Sequence, residues 1–216
     1  DAVAPNRVLR EAGHLYWRTE EGREMVDPGS SRAFAVADPQ VAHVRLDPRH
    51  HGLTDEIADL FRKTPGIGDV LVGESRRQAG LDHARAGDLV LVSDRDRWFC
   101  HDWWLDDRCA PDYQRTVDIH RKPGYDPREL FVDPRFRFPK LAIGSRLIRR
   151  KLGLRTLLDI IPTDTSLVRG SHGRIDQGLG WDAVLMADAA AEIDDDHDGR
   201  VPCTVVRDLA LRTMFG

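Results

Sequence analysis

The chain has 216 residues, 41% of them hydrophobic and 31% charged: enough apolar content to bury a core, and too much for a disordered segment. Its 32 basic and 36 acidic residues leave a net charge of -4 and are interspersed along the whole length, so neither nucleic acid nor a membrane surface is the expected partner. No run reaches the ~20 apolar residues of a spanning helix, and no charged-then-apolar leader opens the chain.

Cysteine usage narrows the compartment. Cys100, Cys109 and Cys203 are an odd number without zinc-type spacing, which points to a reducing, cytoplasmic setting; a Cys100–Cys109 bridge stays open as an alternative. The chain begins with Asp1 on a loop-like segment and is expected to be cut from something longer.

In chain order, the spacing of Val8, Leu9, Ala12 and Leu15 predicts a short helix over 6–15, with Asn6 as N-cap and Gly13 near its stop. Strands are predicted over 33–36 and 41–46, the second by strict alternation. A helix follows from Thr54, its predicted N-cap, with Ile57, Leu60 and Phe61 on one face and Pro65-Gly66 as terminator. A strand and short helix are predicted in IGDVLVGESRRQAGL, and Leu89-Val90-Leu91-Val92 reads as a strand buried on both faces. Strands alternating with helices predict a layered α/β domain. From about 99 to 140 periodicity fades into an irregular excursion rich in proline, aromatics, Asp and Arg. DAVLMA, at 182–187, is a further predicted strand, and the C-terminus closes with a helix.

Several patterns carry chemistry. In TVDIHRKPGYDPRELF, alternation in an extended segment would put Asp118 and His120 on one face, as an acid/base pair or metal ligands, beside Arg121 and Lys122. The competing reading is an ion-pair network that staples the loop to the core. EIDDDHDGRV matches the first half of a calcium loop, but Val205 stands where a bidentate Glu is needed. Trp98, Phe99, Trp103 and Trp104 either wall a hydrophobic pocket or fill an apolar layer. Gly66-Ile67-Gly68 is too short for a phosphate cradle. Finally, His172 sits between Ser171 and Gly173, where Gly170 and Gly173 give the backbone the freedom a metal ligand needs.

Together, NRVLREAGHL, GSSRAFAVADPQVAHVRL, WWLDDRCAPDYQRTVDIHRKPGYDPRELF and VRGSHGR resemble the C-terminal half of bacterial proteins of the type I phosphodiesterase/nucleotide pyrophosphatase family, in the alkaline phosphatase superfamily. The resemblance implies that residues 1–216 are the C-terminal portion of one three-layer α/β/α domain. It also implies a Thr or Ser nucleophile and two divalent metal ions, commonly zinc, acting on a small phosphorylated substrate. Gly170-Ser171-His172-Gly173 matches the motif of the last metal ligand, so the resemblance makes His172 that ligand.

Asp118, His120, Arg121 and Lys122 match no standard ligand position and are carried as candidate substrate-contact or rim residues. The family pattern has a histidine where this chain has Pro39. The nucleophile and the other ligands would precede Asp1, leaving this chain inactive by itself. The alternative is a non-catalytic α/β binding module or a decayed remnant.

Overall fold

The computed structural model describes residues 1–117, 122, 126–174, 184–186, 201 and 203–215. By its internal contacts the chain divides at residue 174 into a first unit, 1–174, and a second, 175–216.

The first unit opens with β1 (Ala2–Val3) and α1 (Pro5–Glu11), followed by a hairpin of β2 (Trp17–Glu20) and β3 (Arg23–Val26). A second hairpin, β4 (Ala33–Asp38) and β5 (Val41–Leu46), leads to α2 (Thr54–Arg62) and β6 (Ile67–Val72). Then come α3 (Glu74–Gln78), β7 (Leu89–Ser93) and β8 (Trp98–Phe99). The irregular region has single 3-10 turns at Asp112–Arg115 and Pro127–Leu130, and ends at α4 (Pro139–Lys151). α5 (Val205–Phe215) lies in the second unit.

The fold is mixed α/β, in keeping with the alkaline-phosphatase-like α/β class expected from the sequence. Its main sheet has the order β4-β5-β7-β6 and is antiparallel throughout, while β1 and β8 form a separate parallel pair. Period-two alternation sends Ala33, Ala35 and Ala37 of β4 to the same inner face as Ala42, Val44, Leu89 and Leu91. The small alanines let bulky partners approach: Leu9 of α1, Ile57 and Phe61 of α2, and Phe99, Trp103 and Trp104. Trp103 and Trp104 pack edge to face with centroids 5.3 Å apart, so these two and Phe99 are core filling. Each large aliphatic or phenyl group buried here contributes about 1.5–3 kcal/mol.

The helix starts differ from the sequence expectation. Ala4 holds the cap position of α1 without a side-chain bond, and Pro5 supplies a first residue that needs no N–H partner. Asn6 sits inside the helix and is fully buried. Its Nδ2 donates to the Ala35 carbonyl at 2.8 Å and its Oδ1 accepts from the Ala35 N–H at 2.8 Å. The amide thus imitates a paired residue on the outer side of the edge strand β4, a partnership that outweighs capping. In α2 the cap is Leu53, and Thr54 is the first helical residue, its hydroxyl donating to the His51 carbonyl at 2.7 Å.

The β2–β3 hairpin was not expected, because all four β2 side chains are exposed and carry no apolar alternation. Its two-residue turn has positive φ at both Glu21 (50°) and Gly22 (76°), the conformation that matches strand twist. The three cysteines are free. Of the strand expected over 182–187, the described residues Val184, Leu185 and Met186 are exposed and outside regular structure. No helix among the described residues is long and apolar enough to cross a membrane.

Candidate functional site

The loop that carries His172 is placed by its approach. Asp164 accepts from the backbone N–H and the hydroxyl of Ser166, both at 2.9 Å, and these bonds lower its pKa. Val168 is 8% exposed and packs with Trp98 and Cys100, which ties the loop to β8. The chain then surfaces: Gly170, Ser171, His172 and Gly173 are exposed, and Gly173 has φ of 111°.

Gln40, in the β4–β5 turn beside Pro39, pins the loop. Its N–H donates to the His172 carbonyl at 3.1 Å, and its carbonyl accepts from the Ser93 N–H at 3.0 Å. Its side-chain amide donates to the Arg95 and Arg97 carbonyls, each at 3.2 Å. Sequence reasoning missed Gln40, since a glutamine in a hairpin turn shows nothing of its long-range partners. One turn later Arg174 donates to the Ser93 carbonyl. A Cβ at Gly68 would lie 3.1 Å from the Arg174 guanidinium and 3.0 Å from Asp94 Oδ1, so this glycine leaves room for the crossing loop. That is a packing role for the Gly66-Ile67-Gly68 motif. Pro39 stands next to the residue that holds His172, so it lies beside this loop.

Next to the loop is a cavity of about 460 Å³ lined by Asp1, Gln40, Arg97, Trp98, Arg169 and Ser171, among others. The Trp98 indole N–H is buried and makes no hydrogen bond. Arg97 pairs with Asp1 at 3.3 Å and Asp96 at 3.1 Å. Three arginines, Arg95, Arg97 and Arg169, outnumber the two carboxylates of Asp1 and Asp96 in the lining, and with the Ser171 hydroxyl and the unsatisfied indole N–H this excess of donors suits an anionic oxygen ligand. For a metal the inventory is short: among the described residues no three His, Cys, Asp or Glu side chains gather closely enough to hold an ion. His172 offers one exposed imidazole, which does not complete a site.

Asp118, His120 and Arg121 lie outside the described residues, as does most of the acidic EIDDDHDGRV turn. Lys122 is described, and it is buried, its ammonium 3.3 Å from Asp126 and 2.9 Å from Glu129. It belongs to an ion-pair network of the kind weighed against a catalytic role from the sequence. At the centre, the fully buried Arg128 donates to both Asp102 oxygens at 2.6 and 2.9 Å, and to Asp126 at 2.8 Å. Arg7 reaches Asp102 at 3.5 Å, so three cations face three carboxylates.

Burial alone would raise the Asp126 pKa, but Arg128 holds it well below the usual carboxylate range. Burial likewise opposes the charge on Arg128, and Asp102 more than reverses this, so its pKa is raised. Gln114 donates to Asp126 at 3.0 Å, which turns its carbonyl toward His101 Nε2 at 2.8 Å and makes that nitrogen the donor. Burial lowers the His101 pKa and pushes Cys100 up to about 12, so that thiol is not a nucleophile. The network is electrically balanced and, apart from the partly exposed Arg7, closed to solvent, and it fixes the irregular region against the core.

Searches of curated proteins and of solved structures found no match to the chain. A family model does match, over residues 1–126, and its description is type I phosphodiesterase / nucleotide pyrophosphatase. That span holds β1 to β8, the whole antiparallel sheet and the sheet end on which the His172 loop rests. It is more than half of the 216 residues, and the chain therefore belongs to the type I phosphodiesterase / nucleotide pyrophosphatase family.

Proposed function

We propose that this chain is the C-terminal part of a metal-dependent phosphodiesterase or nucleotide pyrophosphatase that acts on a small phosphorylated substrate in the cytoplasm. The family supports a hydrolase of the phosphodiesterase/pyrophosphatase type. One observation carries the finer reading: Asp1 and Ser171 line the same cavity, so residues preceding Asp1 in a longer chain would arrive beside His172. Those residues would supply the nucleophile and the other ligands for two zinc-like ions, which stabilise charge on phosphoryl oxygens when bound. His172 would complete one ligand set. Arg97, Arg169, Ser171 and the Trp98 indole N–H would hold substrate oxygens and neutralise their charge. This chain alone would then bind phosphate esters without turning them over.

The test is His172→Ala in the longest gene product that contains this chain. Metal content by elemental analysis is expected to fall, and hydrolysis of a bis-nitrophenyl phosphate to drop more than ~100-fold, since even outer-shell changes cost 10–100-fold. Unchanged metal stoichiometry would sink the assignment of His172. Phosphate-ester binding with no turnover by the unmutated long product would favour the non-catalytic module.

A further inference from the structure

Helix α4 departs from the acidic balance of the whole chain. Its charged residues are Lys140, Arg146, Arg149, Arg150 and Lys151, with no acid among them, and none of its residues is buried. At about 100° per residue, Leu141, Ile148 and the C-cap residue Leu152 fall on one stripe. They are 72%, 62% and 72% exposed. Lys140 and Lys151 flank the stripe on one side and Arg149 on the other. The helix is held from the opposite side, where Arg146 pairs with Asp159 at 2.5 Å and lies over the Phe136 ring at 5.2 Å.

Beside the stripe, Ser145, Arg146 and Arg149 line a cavity of about 380 Å³ together with Arg115, Arg155 and Thr156. Five arginines and two aspartates line it in all. The guanidinium groups of Arg149 and Arg155 have no hydrogen-bond or ion-pair partner among the described residues.

We propose that this face of the first unit docks on an anionic phospholipid surface, the Leu141–Ile148–Leu152 stripe entering the acyl boundary while the arginine cavity takes a headgroup phosphate. A helix lies in the membrane interface when an apolar stripe is bordered by long cationic side chains whose heads reach the headgroup layer. Planar guanidinium forks match phosphate oxygens in pairs, and clustered bases are drawn to acidic lipid. A protein groove could also cover an apolar stripe. The absence of any acid on the helix, with a headgroup-sized arginine cavity alongside, favours the phospholipid.

The experiment is flotation of the full chain with vesicles of phosphatidylcholine alone, or of phosphatidylcholine mixed with phosphatidylserine. Protein is expected to float with the mixed vesicles and not with the neutral ones. The pair Arg149→Ala and Arg155→Ala should weaken binding about fivefold for each arginine removed. The pair Ile148→Glu and Leu152→Glu should abolish it. All four positions are solvent-facing, so an unchanged circular-dichroism melt certifies that the variants fold. Equal flotation with neutral vesicles, no flotation, or flotation untouched by either pair overturns the proposal. Calorimetric binding of inorganic phosphate through Arg149 and Arg155 without flotation overturns it too, and assigns the cavity to a free phosphate ester.

Discussion

Arg128 is the residue on which the irregular region depends. Removing its guanidinium would leave buried Asp102 with only Arg7 at 3.5 Å and buried Asp126 with only Lys122 at 3.3 Å and the Gln114 amide, so Arg128→Ala should destabilise the first unit by about 3 kcal/mol in urea titration. Arg128→Lys should recover little of that, because one ammonium cannot serve both Asp102 oxygens and Asp126 together. His101 sets a different dependence. Its pKa is lowered by burial from 6.5, so the unfolded chain binds more protons than the folded one as pH falls through that value. The urea midpoint is therefore expected to drop as pH is lowered from about 7 to 5, and His101→Asn should flatten part of the slope. His14 and His43, also lowered mainly by burial, carry the rest. Asp126 acts in another window: its stabilisation is complete above 3.8 and is lost only as pH falls from there toward its depressed folded value.

Among the elements, the β2–β3 hairpin makes the clearest energetic prediction. Glu21 adopts φ of 50°, which costs an L-residue about 1 kcal/mol, so Glu21→Gly or Glu21→Asn should raise stability by roughly 0.5–1 kcal/mol in thermal or urea melts. β5 and α2 were legible because one-sided burial writes a period into the sequence, and β7 because burial on both faces writes an unbroken apolar run. The hairpin was not, since both faces of β2 meet water and no period is imposed. α4 was hidden for a related reason: it buries nothing, and Pro139, which reads as a breaker, serves as its opening residue. Of the candidate site, the glycine-flanked His172 could be singled out from local pattern alone. Trp98 stood out only as one of a cluster of aromatics that either wall a pocket or fill a layer, and Gln40 and Arg97 did not stand out at all, because their roles come from contacts spanning more than fifty residues. The Lys122 ion pairs were half legible: opposite charges crowd that string, but the burial that makes them matter depends on the core beneath.

For the molecule as a whole, the family match ends at Asp126, while the GSHG loop lies beyond it and returns to the end of the matched sheet through Gln40. The net charge of -4 averages away the cationic face built by α4, which only the fold collects in one place. The paired amide of Asn6 has a consequence at this scale. An edge strand offers its free backbone groups to any passing chain as a template, and in β4 the central such groups, those of Ala35, are occupied by one side chain. A second copy can extend the sheet there only by prising α1 away. Asn6→Ala would strand two backbone groups at a loss of about 2–4 kcal/mol. It should also convert a guarded border into a nucleation point, visible as concentration-dependent assembly and thioflavin binding. If Asn6→Ala stays monomeric at high concentration, something other than this amide guards the edge.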